Sequence, residues 1–368
     1  MVVYYYTCRY WTILVIEGFM IKVGIIGVTG YVGIELLRLL QLHPLVSITN
    51  VFTDTYSGEE IAAIYPHLRG LTAIRGEKLQ LDVIHKHCDV VFVSLPHGHA
   101  MRMAQSILDA GIKIIDLGAD FRLKNPSHYE HWYKHQAATA TLLNQAVYGL
   151  PENDNKTLIA RASLIANPGC YPTAALLATI PAIKSGIIEL DEYIFDAKSG
   201  VSGAGRTLSL NSHFCEISEN MMAYQIAGQH RHTPEIEQEL GLLTEQPAVI
   251  QFTPHVVPIV RGLLVTAYFK LTDLLSAKEV HAIYQQHYKH ETFIRISPLN
   301  NIPQIKQVRG TNYCDIGLHV DPRTKRLIVV SVIDNLIKGA AGQAIQNMNL
   351  MYQFDETTGL NPIFATYP

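Results

Sequence analysis

The stretch LIANPGCYPTAALLA, residues 164–178, sets Cys170 between a glycine and a tyrosine, with Pro168 and Pro172 flanking it. Pro172 suits the N1 position of a helix running through AALLATIPA, because a missing N–H is harmless there and the ring presets φ. Cys170 then stands at the positive end of that helix, where unpaired N–H groups lower a thiol pKa and favour the nucleophilic thiolate. The same N–H groups can hold the oxyanion that forms on an attacked carbonyl carbon. The competing reading is a small buried cysteine filling a strand-to-helix turn. A base within reach separates the two.

QHRHTPEIEQEL, residues 229–240, offers one. Thr233 and Pro234 read as helix cap and N1, with His230 and His232 just outside and Glu235 in the first turn. Glu235 is placed to orient an imidazole and raise its pKa, as suits a group that gives and takes protons near neutral pH. With 17 histidines in the chain, a surface histidine near a cap is the plainer alternative. SGVSGAGRT, residues 199–207, adds an open loop whose amides can bind an anion, with Arg206 offering a planar fork for carboxylate or phosphate. Arg122 in DLGADFRL and Arg261 in PHVVPIVRG are further candidates for substrate anions. Each of these also reads as ordinary surface.

GVTGYVG, residues 27–33, lies between an apolar run and a helical pattern, the setting a dinucleotide turn requires. Gly27, Gly30 and Gly33 let the backbone turn tightly and approach a pyrophosphate. Thr29, Tyr31 and Val32 bring their N–H groups to the helix start. The spacing is G-x-x-G-x-x-G, not G-x-G-x-x-G, so a tight turn without ligand is the alternative. Asp54, 21 residues after Gly33, stands where an acid often bonds a ribose 2′-hydroxyl, and taken alone points to NAD. Thr53, Thr55 and Ser57 beside it can instead donate to a phosphate.

The elements that must position these residues follow from periodicity. IKVGII, VSITNVFT, DVVFVSLP and IKIIDLG read as buried parallel strands, with helices from Val32 to the His43-Pro44 stop and through HAMRMAQSILDAG. That alternation predicts an α/β fold with a doubly wound parallel sheet. Beyond residue 190, YIFDAKS, AVIQFTPHVVPI, GLLVTAYFKL and RLIVVSVIDNL are strand-like and AKEVHAIYQQHY helical, which predicts an α+β domain. The resulting division is 20–170 for nucleotide binding, 171–334 for catalysis and assembly, and 335–368 for a last helix that returns to the first domain.

Composition narrows the partners. Lys and Arg number 29 against 32 Asp and Glu, with no dense basic block, which argues against nucleic acid. Five cysteines without C-x-x-C spacing suggest neither a disulfide framework nor a metal site, and fit a reducing cytoplasm. The first twenty residues hold apolar runs of only about six, short of the roughly 18 a membrane span needs. Met20 directly precedes a strand and suits a start, so 1–19 stay unassigned.

From about Met20 onward the chain resembles the N-acetyl-gamma-glutamyl-phosphate reductases of the semialdehyde dehydrogenase superfamily. The resemblance rests on GVTGYVG, SLPHGHA, DLGADFRL, YGLPE, ANPGCYPTA, SGVSGAGR, HRHTPEI, FTPHVVPIVRG and DNLIKGAAGQAIQNMN, in that order. It implies a Rossmann domain completed by the C-terminal helix, an α+β domain that makes subunit contacts, and a homo-oligomer, dimer or tetramer. It also implies NADPH-dependent reduction of a small acyl phosphate in arginine biosynthesis, with NADH not excluded. By the same resemblance Cys170 is the nucleophile and His232 the acid/base, with His230 second. Asn335, Pro96, His97 and Gly203 fall on the cofactor side, and Asn167 and Ser202 join the arginines on the substrate side. TDT at 53–55 departs from the Ser/Arg-type residues that many relatives carry near the adenosine 2′-phosphate.

Overall fold

The computed structural model describes residues 3–8, 11–16 and 20–360. Val3–Cys8 (β1) and Trp11–Ile16 (β2) pair as an antiparallel ribbon, within the stretch for which the sequence suggests no element. The first large sheet holds Ile21–Ile26 (β3), Val46–Phe52 (β4), Gly76–Glu77 (β5), Val90–Val93 (β6), Lys113–Asp116 (β7), Val147–Tyr148 (β8) and Leu164–Ala166 (β9). Its order is β5-β4-β3-β6-β7-β9-β8, all parallel. The inner strands are apolar on both faces because helices cover both. Tyr31–Leu40 (α1) packs with Val23 and Ile25 on one side, and Ala100–Asp109 (α2) with Ile26, Val91 and Val93 on the other. The order reverses between β3 and β6, so a crevice opens beyond their carboxyl ends, where ligands of such sheets bind.

Cys170–Lys184 (α3) leads into a second, mixed sheet. Its strands are Ile188–Gly200 (β10), Met222–Ala223 (β11), Ile250–Val257 (β12), Leu263–Leu271 (β13), Ile294–Ile296 (β14), Cys314–Asp321 (β15) and Arg326–Ile333 (β16), in the order β11-β12-β10-β13-β16-β15-β14. α3, Thr233–Thr244 (α4) and Ala277–His287 (α5) pack one face around Leu176, Phe195, Phe252, Phe269 and Tyr284. Pro181 inside α3 removes the N–H that would reach the carbonyl of Leu177, and Tyr288 donates its hydroxyl to that oxygen instead, at 2.7 Å.

The chain then returns. Gly342–Met351 (α6) buries Ala344, Ile345 and Met348 in the core that also holds Leu36 and Leu37 of α1. A fully enclosed polar seam fixes this return. Lys338 Nζ donates to Glu152 Oε1 at 2.6 Å and to Gln346 at 2.8 Å, and Asn347 donates to the carbonyl of Gly149 at 2.9 Å. Each of these side chains makes at least one hydrogen bond, which offsets much of the cost of burying it, although Glu152 Oε2 and Asn347 Oδ1 find no partner. Among the described residues no helix is long and apolar enough to cross a membrane.

Candidate active site

α3 starts at Cys170 itself, with Gly169 as N-cap, so the thiol residue occupies N1 and Pro172 the third helical position, two later than its expected N1 place. The proline is still harmless, since the first-turn N–H groups have no helical acceptor. Gly169 has no side chain with which to cap the helix. The return segment closes over the turn: a Cβ on Gly339 would lie 2.7 Å from Cys170 Cβ. This enclosure reverses one expectation. Burial pushes the Cys170 thiol up to about 11, outweighing the Tyr171 N–H and the Arg122 charge that pull the other way. Alkylation of Cys170 by iodoacetamide in the isolated protein should therefore accelerate about tenfold per pH unit from 7 to 10 without levelling off. A plateau near neutral pH, read by mass spectrometry of the Cys170 peptide, would contradict the raised pKa.

His232 is the N-cap of α4, one residue earlier than the expected Thr233 cap, and Pro234 is second in the helix, not first. The imidazole leans over the residue before the cysteine: a Cβ on Gly169 would sit 2.7 Å from His232 Nε2. Burial, together with His230 and Arg122, holds the His232 pKa well below its usual 6.5, so the ring is neutral and competent as a base. Its Nδ1 is buried without a partner.

Glu235 does not orient that ring. Its Oε1 accepts from Gly169 N and from the Tyr148 hydroxyl, each at 2.9 Å, and its Oε2 accepts from Arg122 Nη1 at 3.2 Å. The carboxylate thus fixes the turn bearing the thiol. His230 is fixed differently: its Nδ1 accepts the backbone N–H of His232 at 3.0 Å, which puts the ring proton on Nε2, facing the Tyr224 hydroxyl at 3.3 Å. Tyr224 lies a long 3.5 Å from the Tyr171 hydroxyl, which donates to the carbonyl of His255 at 3.2 Å.

The arginines separate. Arg122, expected to meet substrate, spends its guanidinium on the protein: Nε on Asn167 O at 2.8 Å, Nη2 on Leu117 O at 3.0 Å and Nη1 on Glu235. Arg261 bridges Glu35 of α1, at 2.8 Å, and Asp334, at 3.1 Å, and so ties the two domains together. Arg206 reaches the Thr29 carbonyl at 3.1 Å, on the nucleotide turn and not at the thiol. Asn167 is likewise committed, to Ala340 O at 3.2 Å and to Asn347 at 3.0 Å.

The crevice suits a dinucleotide. Gly27, at φ +86°, and Gly33 are required by packing, since a Cβ on either would lie 2.2 Å from a carbonyl oxygen. Gly30 is not: its Cβ would meet only Gly27 O, at 3.6 Å. Space is therefore open in front of Gly30 and the uncapped start of α1, where Tyr31, Val32 and Gly33 lie, which fits an approaching pyrophosphate. Pro96 and His97 follow β6 on the opposite lip, and burial beside Arg231 depresses the His97 pKa to about 3. Asn335 accepts from Gly262 N at 2.7 Å and donates to Ser202 Oγ at 3.0 Å, while Gly203 keeps clear of it, a Cβ there falling 3.8 Å from its Nδ2. A cavity of about 950 Å³ runs from Tyr31 and Glu35 to Ser202, Arg206 and Arg261.

Two family models match, the semialdehyde dehydrogenase NAD binding domain over residues 22–160 and the semialdehyde dehydrogenase dimerisation domain over residues 170–335. The chain belongs to the semialdehyde dehydrogenase family. Among semialdehyde dehydrogenases, curated relatives named N-acetyl-gamma-glutamyl-phosphate reductase include those of Symbiobacterium thermophilum, 51% identical over 95% of this chain and 99% of the relative, and Desulforudis audaxviator, 50% identical over 93% and 98%. Among solved structures, aspartate semialdehyde dehydrogenase II from Vibrio cholerae superposes with a TM-score of 0.70 at 17% identity over 91% of this chain and 98% of that one. The Candida albicans aspartate semialdehyde dehydrogenase with NADP gives 0.64 at 18%, over 90% and 98%.

Semialdehyde dehydrogenase motifs also held residues that reading by chemistry alone passed over. Arg231, between the two histidines, is exposed and places Nη1 2.8 Å from His97 Nε2, across the mouth of the site. Tyr148 of YGLPE supports Glu235. The signal for Arg231 was its place inside HRH; that for Tyr148 was only its place in YGLPE.

Proposed function

We propose that the chain reduces N-acetyl-γ-glutamyl phosphate to the corresponding semialdehyde with release of phosphate, in arginine biosynthesis, through a thioester on Cys170. The observation that carries this reading is the meeting of Cys170, at N1 of α3, with a neutral His232 leaning over Gly169. Both groups are uncharged at rest, so the proton passes from sulfur to His232 as the C–S bond forms. The acyl C–O bond then breaks and phosphate departs, leaving the thioester. Bound NADPH supplies the hydride that converts the thioester carbon to the aldehyde level. The oxyanion so formed faces the N–H groups at the start of α3, and a well-aimed donor of that kind is typically worth about 3 kcal/mol. Protonated His232 gives its proton to that oxygen, takes it back as the C–S bond breaks and the aldehyde leaves, and then returns it to the departing sulfur, which restores the thiol and the neutral ring. Glu235 and Arg122 hold the turn still throughout.

Arg231 stands where a substrate anion would enter. The matched dimerisation domain supports a homo-oligomer, which we take as a dimer or tetramer acting in the cytoplasm. The test is NADPH oxidation by the purified enzyme with N-acetyl-γ-glutamyl phosphate and, side by side, with β-aspartyl phosphate. Turnover is expected with the first and should be at least about a hundredfold lower with the second, which carries an ammonium in place of the acetamido group and is one methylene shorter. Preference for the aspartyl compound would overturn the substrate.

A further inference from the structure

Asp54, just beyond β4, and the resemblance point in opposite directions on the cofactor. Asp54 suits a ribose 2′-hydroxyl, and the segment Thr53–Ser57 contains no Lys or Arg to meet a 2′-phosphate. Of the next two arginines in the chain, Arg69 is exposed, and Arg75 is held by Glu60 at 2.5 Å and by the carbonyl of Gly58 at 3.1 Å. The segment itself therefore offers a 2′-phosphate no cation.

The second domain does. Arg206, in the turn after β10, crosses the crevice and donates Nη1 to the Thr29 carbonyl and the Tyr65 hydroxyl, both at 3.1 Å. Its guanidinium carbon lies 5.1 Å from the centre of the Tyr65 ring and 5.7 Å from that of Tyr56. Tyr56 stands two residues after Asp54 in the chain, and Thr29 Oγ1 is 3.2 Å from Thr53 Oγ1. The guanidinium is thus over the adenosine-ribose end of the crevice. Its Nε and Nη2 have no hydrogen-bond partner among the described residues and remain for a phosphate to take.

We infer that Arg206 reads the 2′-phosphate of NADP, so that cofactor choice is made by the second domain across the crevice and not by Asp54 just beyond β4. The inference rests on the reading of the crevice as a nicotinamide dinucleotide site. Its ligand is a phosphate monoester on the ribose, balanced by a planar cation that two tyrosine rings hold in place.

The test uses calorimetric titration of the full chain with NADP⁺ and NAD⁺, which differ only by that phosphate. Wild type should bind NADP⁺ at least about tenfold more tightly, and Arg206→Ala should weaken NADP⁺ by about 30-fold while moving NAD⁺ by less than about threefold. Arg206→Lys, which keeps the charge and loses the fork, should fall between them. Equal losses for both ligands, or none, would overturn the assignment. Equal wild-type affinities would overturn it too, with the dinucleotide reading intact; a wild type that binds neither would remove that reading and this one together.

Discussion

Cys170→Ser is expected to reduce turnover by roughly 10,000-fold or more while NADP⁺ affinity stays within about twofold of wild type. A serine hydroxyl in the same turn is a far weaker nucleophile than the sulfur, and His232, whose pKa is already low, is a poor base for it. The size of the effect distinguishes a covalent path from direct hydride transfer to the acyl phosphate. In a direct path the sulfur would only line the site, and the substitution would have a small effect. Residual activity above about a tenth of wild type would therefore end the thioester mechanism. The cofactor titration guards against misfolding, because the Gly30 cradle depends on the first sheet.

His232→Asn is expected to lower kcat by about a thousandfold, and His230→Asn by no more than about tenfold. The difference follows from their bonds. His230 must keep its Nδ1 unprotonated to accept the backbone N–H of His232, and burial beside Arg231 holds its pKa at about 3. It cannot exchange protons without breaking that contact. An asparagine oxygen at 230 can still receive the N–H, so His232 stays in place. The sign of the pH response is also set. A base whose pKa is depressed is lost only as pH falls through that lowered value, so the acid limb of wild-type kcat/KM should lie below the usual histidine 6.5. His232→Asn should abolish that limb, and His230→Asn should preserve it. The reverse pattern would exchange their roles.

Much of this was legible in the sequence because it was local. IKVGII, the glycines after it and the helical run that follows specify one strand, one turn and one helix, and repetition of that pattern specifies the parallel sheet. β15 escaped notice because CDIGLHVD carries Asp315, a glycine and a histidine where an inner strand would be apolar. It lies next to the short edge strand β14, and Asp315 pairs with Arg295 at 2.6 Å. The site divides in the same way. Residue types announced Cys170 and the histidines, but nothing local said that Glu235 would reach Gly169, Tyr148 and Arg122 across 66, 87 and 113 residues. Nor could spacing weigh the helix end against burial of the thiol. The backbone N–H does lower its pKa, and enclosure raises it by more.

The bonds of Glu235 have a mechanical consequence. One carboxylate on α4 grips the turn that opens α3, a tyrosine of the first sheet and the arginine behind it. Thiol and imidazole are therefore held together through one shared carboxylate, independently of the loop that carries Arg206. Whatever admits and releases the cofactor must pivot elsewhere. The loop that carries Arg206 across the crevice is then less a wall of the site than its latch.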